Sequence, residues 1–272
     1  MKNSIILLSL FMFLSCSGAG VPCESSVEEE PRNLLAQAKE ACDRKDFNCA
    51  KILMDSIRRT APKAFKTLCE VEELYHKVLV EEKTRDVIFY ENELERLYAL
   101  RDSLAKGFDY RKDSRYDDYG VYSHPSQAIS KNAGNCFMRA TVNADGEAVI
   151  TSFYRGKRIG HNKIKVSSDG VFVEVDVKDA DRPWTGKEYG VYVERYGFKL
   201  GNDGGIMKFI VNAKSRIQVE LLAKDNQFVY EMRQEDVKAI REVLEFQKVL
   251  AAIKETNEML GAARYSLAYL GQ

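Results

Sequence analysis

The sequence predicts an α+β protein: an antiparallel β-sandwich or barrel-like domain of about eight strands, flanked by N- and C-terminal helices that pair as a coiled-coil-like stalk. Three observations predict it. Val171, Val173, Val175 and Val177 alternate with Phe172, Glu174, Asp176 and Lys178, the period of two that marks a strand with one buried face. Turn chemistry recurs through the same block at Asn143-Ala144-Asp145-Gly146, Asp169-Gly170, Asn202-Asp203-Gly204-Gly205 and Asp225-Asn226. Such residues tolerate the positive φ of tight hairpins, which favours an antiparallel meander. On both sides of the block, over residues 33–107 and 234–272, the apolar period changes to a helical one.

At 272 residues and 45% hydrophobic composition, the chain can bury a core and hold one large or two modest domains. The 41 basic and 41 acidic residues balance, and Lys2 is the sole charge among the first fifteen residues, leaving 40 basic against 41 acidic beyond it. With no basic cluster, nothing in the charge pattern suits nucleic acid.

The N-terminus begins with Lys2, continues through an apolar run from Ile5 to Leu14 broken only by Ser9, and reaches Phe13-Leu14-Ser15-Cys16. A run of about ten apolar residues is too short for a hydrocarbon core of about 30 Å, so residues 1–15 read as a signal peptide. Phe13 to Cys16 resembles a bacterial lipobox with phenylalanine in place of the usual leucine. The resemblance implies cleavage before Cys16 and acylation of its thiol and new amino group; the alternative is an ordinary secretory signal with an incidental cysteine. Acyl chains, each CH₂ adding about 0.8 kcal/mol of membrane affinity, would hold the protein on a bilayer. The expected location is the bacterial cell envelope, lipid-anchored at the outer membrane, with the periplasmic and surface faces both open. Small residues from Ser17 to Pro22 and the acidic Glu24, Glu28, Glu29 and Glu30 read as a flexible linker over residues 16–32.

Leu34, Ala38 and Ala41, then Phe47, Ala50, Met54 and Ile57, describe two helices joined at Asp43-Arg44-Lys45-Asp46 and stopped by Pro62. Phe47, Ala50 and Pro62 stand where a tetratricopeptide hairpin places its aromatic, small residue and proline. A lone hairpin cannot bury its own face, so it must dock on the next helix, residues 66–106, which ends at Gly107. In that helix the apolar set Leu68, Val71, Tyr75, Val78 is out of phase with Val87, Tyr90, Leu94, Leu97, Leu104 across Glu81-Glu82-Lys83, which predicts a change of packing partner. Val243, Phe246, Leu250, Ile253, Asn257, Leu260, Arg264 and Leu267 alternate steps of three and four, the seam of a coiled coil. An antiparallel pairing of this last helix with the later half of residues 66–106 follows; the alternative is that the helices pack across the sheet.

Between helix and sheet lies a tyrosine-rich stretch ending in Tyr122-Ser123-His124-Pro125-Ser126-Gln127. Together with Arg139-Ala140-Thr141-Val142-Asn143-Ala144-Asp145-Gly146, Ser152-Phe153-Tyr154-Arg155-Gly156, Asp55-Ser56-Ile57 and Pro62, it resembles a group of uncharacterised lipoproteins from Bacteroides-type bacteria. The resemblance implies the lipid anchor and the order of hairpin, β domain (residues 108–233) and final helix. It carries no catalytic residue.

His76, His124 and His161 lack metal-ligand spacing, and Asp113, Asp117 and Asp118 lack the glycine and closing glutamate of a calcium loop. Neither a phosphate loop nor a nucleophile elbow is present, so no enzyme activity, metal or cofactor is expected. With Cys16 acylated, Cys23, Cys42, Cys49, Cys69 and Cys136 leave an odd thiol. Cys42 and Cys49 flank the hairpin turn and are either a short disulfide or small residues at a helix contact. The candidate contact residues are Trp184, in the loop Arg182-Pro183-Trp184-Thr185-Gly186, with Tyr116, Tyr119, Tyr122 and His124. Aromatics on a β scaffold hold peptides or sugars, and they also plug seams between helix and sheet. The expected function is a structural or protein-interaction module of the envelope, with glycan binding as the alternative.

Overall fold

The computed structural model describes residues 24–112 and 120–271, which divide into two compact units at Arg85/Asp86, with Ser266 onwards belonging to the first. In the first unit α1 (Glu24–Asp43) and α2 (Phe47–Thr60) form an antiparallel hairpin on the first half of α3 (Phe65–Ala105). Asp46 caps α2, its side chain accepting from the Cys49 N–H at 3.1 Å. Ala38, Ala41 and Ala50 are fully buried beside Met54, Ile57 and Val71, so small side chains sit where the helices approach.

The predicted linker is corrected here, because the chain is already helical from Glu24. Glu28 shows what that first turn does. Ala64, just before α3, has no oxygen with which to cap it, and the Glu28 carboxylate supplies the cap from α1. It accepts from the N–H groups of Lys66 and Thr67, at 3.3 and 3.2 Å, and from the Thr67 hydroxyl. These bonds, that from the Thr67 side chain foremost, hold the Glu28 carboxyl below its usual range.

The second unit contains two antiparallel sheets. The six-stranded one runs β1 (Asp109–Arg111), β2 (Val121–Ser123), β3 (Phe137–Asn143), β4 (Ala148–Gly156), β8 (Val191–Lys199), β7 (Arg182–Glu188). The four-stranded one runs β10 (Gln227–Glu231), β9 (Gln218–Leu222), β5 (Lys163–Ser168), β6 (Val171–Asp176). Two further helices complete the unit, α4 (Ile206–Asn212) and the part of α5 (Gln234–Leu270) up to Tyr265. Met138, Ile150 and Phe198 of one sheet, Ile164, Val219 and Leu221 of the other, and Ile240, Val243, Phe246 and Leu250 of α5 form one core. Helix α5 lies directly on the β3–β4 turn. At Gly146, whose φ is +80°, a Cβ would come within 2.6 Å of the Ala251 nitrogen, and the Gln247 amide donates to the Gly146 carbonyl at 3.0 Å.

Within this unit the later half of α3 and α5 run antiparallel, as the heptad pattern predicts. Asn257 donates to the Tyr98 hydroxyl at 3.2 Å and Arg264 to Glu91 at 2.7 Å, while Leu94, Leu97, Leu260 and Ala263 are buried. The seam is uneven: Leu250 belongs to the β core, Ile253 is half-buried, and Asn257 and Arg264 are exposed at its margin. The valine strand also differs from expectation. β6 is an edge, Val171 and Phe172 are exposed, Val177 lies in the following 3-10 turn, and of the four valines Val175 alone is fully buried.

β2 pairs with β3 only from Thr141 to Asn143, which leaves the start of β3 without a strand neighbour on the side away from β4. Gln127 fills the gap. Its buried side-chain amide accepts from the Ala140 N–H at 3.1 Å and donates to the Met138 carbonyl at 2.8 Å, as a neighbouring peptide group would. It also donates to Asp236 in the first turn of α5. Removing this amide orphans two buried backbone groups, so Gln127→Ala is expected to cost about 2 kcal/mol or more. Denaturant unfolding measures the loss, and the Ala140 amide should exchange with solvent faster; unchanged exchange at Ala140 would show that the amide does not complete the sheet.

Candidate functional site

Met138, Ile150, Tyr196 and their alternates face the core, so the intervening residues of β3, β4, β8 and β7 form the opposite, outer face of the six-stranded sheet. In register across it, Phe137 lies opposite Phe153, Phe153 opposite Arg195, and Arg195 opposite Trp184. The two phenyl rings stack at 4.8 Å with 8° between their planes. The Arg195 guanidinium lies 5.9 Å from the Phe153 ring centre and 4.2 Å from that of Trp184. A row of aromatic and cationic side chains thus crosses four adjacent strands. On its open side a groove of about 380 Å³ is bounded by the segment after Ile129 and by the β7–β8 turn at Glu188 and Tyr189. Arg155 and Arg195 both line it. Glu188 accepts from Arg195, and Arg155 donates to the Glu188 carbonyl at 3.3 Å.

The structure places the sequence-predicted residues apart. Trp184, expected in a loop, lies in the edge strand β7, whose free side tolerates Pro183. It is 41% exposed, and its ring leans over Gly186, where a Cβ would sit 3.0 Å from the indole. Tyr122 is on the inner face of β2, edge-on to Phe246 at 5.0 Å, and plugs the seam between sheet and α5. Burial raises its phenol pKa. β2 and β7 are separated by three strands, about 19 Å from Tyr122 to Trp184 at the usual strand spacing. His124 caps the 3-10 turn Pro125–Gln127. Its Nδ1 accepts from the Ser126 N–H at 3.2 Å, which leaves Nε2–H to donate to Glu242 at 3.0 Å. Tyr116, Tyr119, Cys16 and Cys23 lie outside the described residues. Cys42 and Cys49 stand as separate half-buried thiols against the helical core, not as a disulfide. Among the described residues no three His, Cys, Asp or Glu side chains come together as metal ligands, and no helix is long and apolar enough to cross a membrane.

Phe137, Phe153, Arg155, Glu188 and Arg195 were not singled out by sequence reasoning. The signal was present in β4, where Ala148, Ile150 and Tyr154 alternate with Val149, Thr151, Phe153 and Arg155: a strand rich in large groups on both sides, only one of which a core can use. Comparisons with protein-family models, with curated proteins and with solved structures return no match.

Beneath the groove, on the inner side of β8, Glu194 and His161 are both fully buried. The Glu194 carboxylate accepts from the N–H groups of Ile159, Gly160 and His161 at 3.0, 2.8 and 3.1 Å, and from His161 Nδ1 at 2.6 Å. Nδ1 therefore carries the proton, and Nε2 is buried with no hydrogen-bond partner, between the rings of Tyr154 and Tyr196. Burial lowers the His161 pKa against the attraction of Glu194. For Glu194 burial alone would raise the pKa; the Gly160 and Ile159 N–H groups with His161 outweigh it, and the result is lowered. The unfolded chain thus takes up the His161 proton first. Stability from this site is complete above about pH 6.5 and declines as the pH falls from there toward the folded value. The Glu194 contribution is present above about pH 4.3 and is lost only at lower pH. Unfolding midpoints between pH 7.5 and 5 should fall with pH while an NMR titration shows the folded His161 imidazole still neutral. Titration of that ring at or above the ordinary imidazole value would refute the assignment.

Proposed function

We propose that this chain is a lipid-anchored binding module of the bacterial cell envelope. Cys16 is its acylated residue, and a protein partner seats on the outer face of the six-stranded sheet. The row Phe137–Phe153–Arg195–Trp184 carries the reading. Tryptophan, tyrosine and arginine dominate the energetics of protein interfaces, and here Trp184 and the fully exposed Tyr189 stand beside the half-buried Phe153 and the buried Phe137 on a face that lies outside the main core cluster. The same row favours a protein over a glycan. A sugar ring stacks on a free aromatic face, and Trp184 already has the Arg195 guanidinium on one of its two.

Photo-cross-linking residues placed at Phe153 and Trp184 in intact cells should capture a discrete protein partner, and Arg195→Glu should abolish the adduct. Placed at Lys224, in the turn between β9 and β10, the same group should capture none. Equal capture at both positions would remove the sheet face from consideration. The anchor has its own test: Cys16→Ala should move the protein from the membrane fraction to the soluble envelope fraction. Continued detergent-sensitive sedimentation of that variant would overturn lipidation at Cys16.

A further inference from the structure

The groove on the outer sheet face has a composition that narrows what it accepts. Its floor is the half-buried Phe153 ring, backed by the buried Phe137 on which it stacks, and offers an apolar surface one ring wide. Its charged groups are the guanidinium groups of Arg155 and Arg195 and the carboxylate of Glu188, so positive charge exceeds negative by one. The two arginines are not saturated. Arg155 is held there by a backbone carbonyl and not by an acid, and the Nε–H of Arg195 is buried with no acceptor although its Nη2 donates to Glu188. A buried guanidinium donor without an acceptor is unfavourable, and carboxylates are the acceptors with which a guanidinium pairs most strongly. At about 380 Å³ the groove is near the small end of ligand-sized clefts, enough for one side chain and its neighbour but not for an extended oligomer.

We propose that this groove receives an acidic–aromatic pair of residues from the polypeptide partner, the ring on Phe153 and the adjoining carboxylate on Arg155 and Arg195. Glu188 is then an internal competitor. It occupies one edge of Arg195 in the free protein and yields part of that guanidinium when the partner's carboxylate arrives. The inference rests on the sheet face being the contact surface and adds the chemistry that the face selects. Phosphate or free aromatic groups alone satisfy only half of the groove each.

The test uses N-acetylated, C-amidated Gly-Asp-Phe-Gly, read by isothermal titration against the full chain and by emission of Trp184, the sole tryptophan, whose ring lies 4.2 Å from the Arg195 guanidinium. The Asp peptide should bind about ten- to a hundredfold more tightly than its Asn counterpart, the range of a charge-assisted hydrogen bond. Replacing its Phe by Ala should weaken it comparably. Arg195→Gln should erase the preference for Asp over Asn. Glu188→Gln should tighten the Asp peptide severalfold and leave the Asn peptide unchanged, which guards against a trivial folding defect in the arginine variant. Equal affinity for the Asp and Asn peptides would overturn the inference. So would failure of both to bind while cross-links from Phe153 persist, an outcome that leaves the sheet face as the contact surface.

Discussion

The amide of Gln127 does the work of a missing strand, and the groove exists because of it. β2 is three residues long, so the sheet would expose the backbone of Met138 and Ala140 if nothing followed. Buried peptide groups cannot be left unpaired, and the chain before β3 therefore folds back along its edge as two short 3-10 turns, Pro125–Gln127 and Ile129–Asn132. The turns are fixed in their turn. Asn132 donates to the carbonyls of Ser126 and Ala128 at 2.9 and 3.0 Å, and Arg233 ties Asn132 to Asp236 in the first turn of α5. A segment held this way stands beside β3 without hydrogen-bonding along its full length. The space left between it and the Phe137–Phe153 stack is the groove. Gln127 completes the sheet, and Asn132 and Arg233 hold the same segment at the edge of the groove.

Adjacent residues on β8 then divide the chemistry between two environments. Glu194 points inward to His161 and three backbone N–H groups; Arg195 points outward between Phe153 and Trp184. Inside, backbone N–H groups and His161 hold the carboxylate ionised against its burial, and burial keeps the imidazole neutral. Outside, the guanidinium keeps an unused donor and a partner, Glu188, on a turn whose tip residue Tyr189 has φ of +50°. Positive φ is unfavourable for a tyrosine and is retained beside Gly190, the pair of left-handed residues that a two-residue hairpin turn requires. The buried side of β8 anchors the strand through Glu194, and the outer side carries Arg195.

The sequence disclosed the class of fold through periodicity, and lost the site through the same signal. Alternation in Val171–Val177 marks a strand, yet it cannot say that the strand is an edge, because edge and centre differ in neighbours supplied from elsewhere in the chain. Pro183 and Gly186 suggested a loop around Trp184. In an edge strand proline costs no ladder bond, and the glycine gives the indole room to lie flat. Glu28 read as one acid among several in a linker, since the helix it caps begins 37 residues later, at Phe65. Tyr122 and His124 were legible as an unusual cluster, and their role is structural: one seals α5 to the sheet, the other caps the turn that carries Gln127. Long-range pairing of this kind leaves no trace in local spacing.

Helix α3 shows what spacing can resolve. Its apolar positions change phase across Glu81-Glu82-Lys83, and the division of the chain falls just beyond, after Arg85. Val71 and Val78 are buried in the core of the first unit; Leu104 packs on the core of the second. A helix with one continuous stripe would commit all of its buried face to one partner, because an α-helix turns only about 20° per heptad away from a strict seven-residue repeat. A break in phase over three charged residues rotates the stripe abruptly and lets one backbone serve two cores. The charges at the break are themselves engaged on the side of the first unit, Lys45 with Glu81 and Lys51 with Glu82. The exposed Lys45–Glu81 pair contributes little to stability, and the Lys51–Glu82 pair is partly buried. Their value lies in register: with Phe47 and Ala50 buried beside them, they fix which face of α3 the hairpin takes.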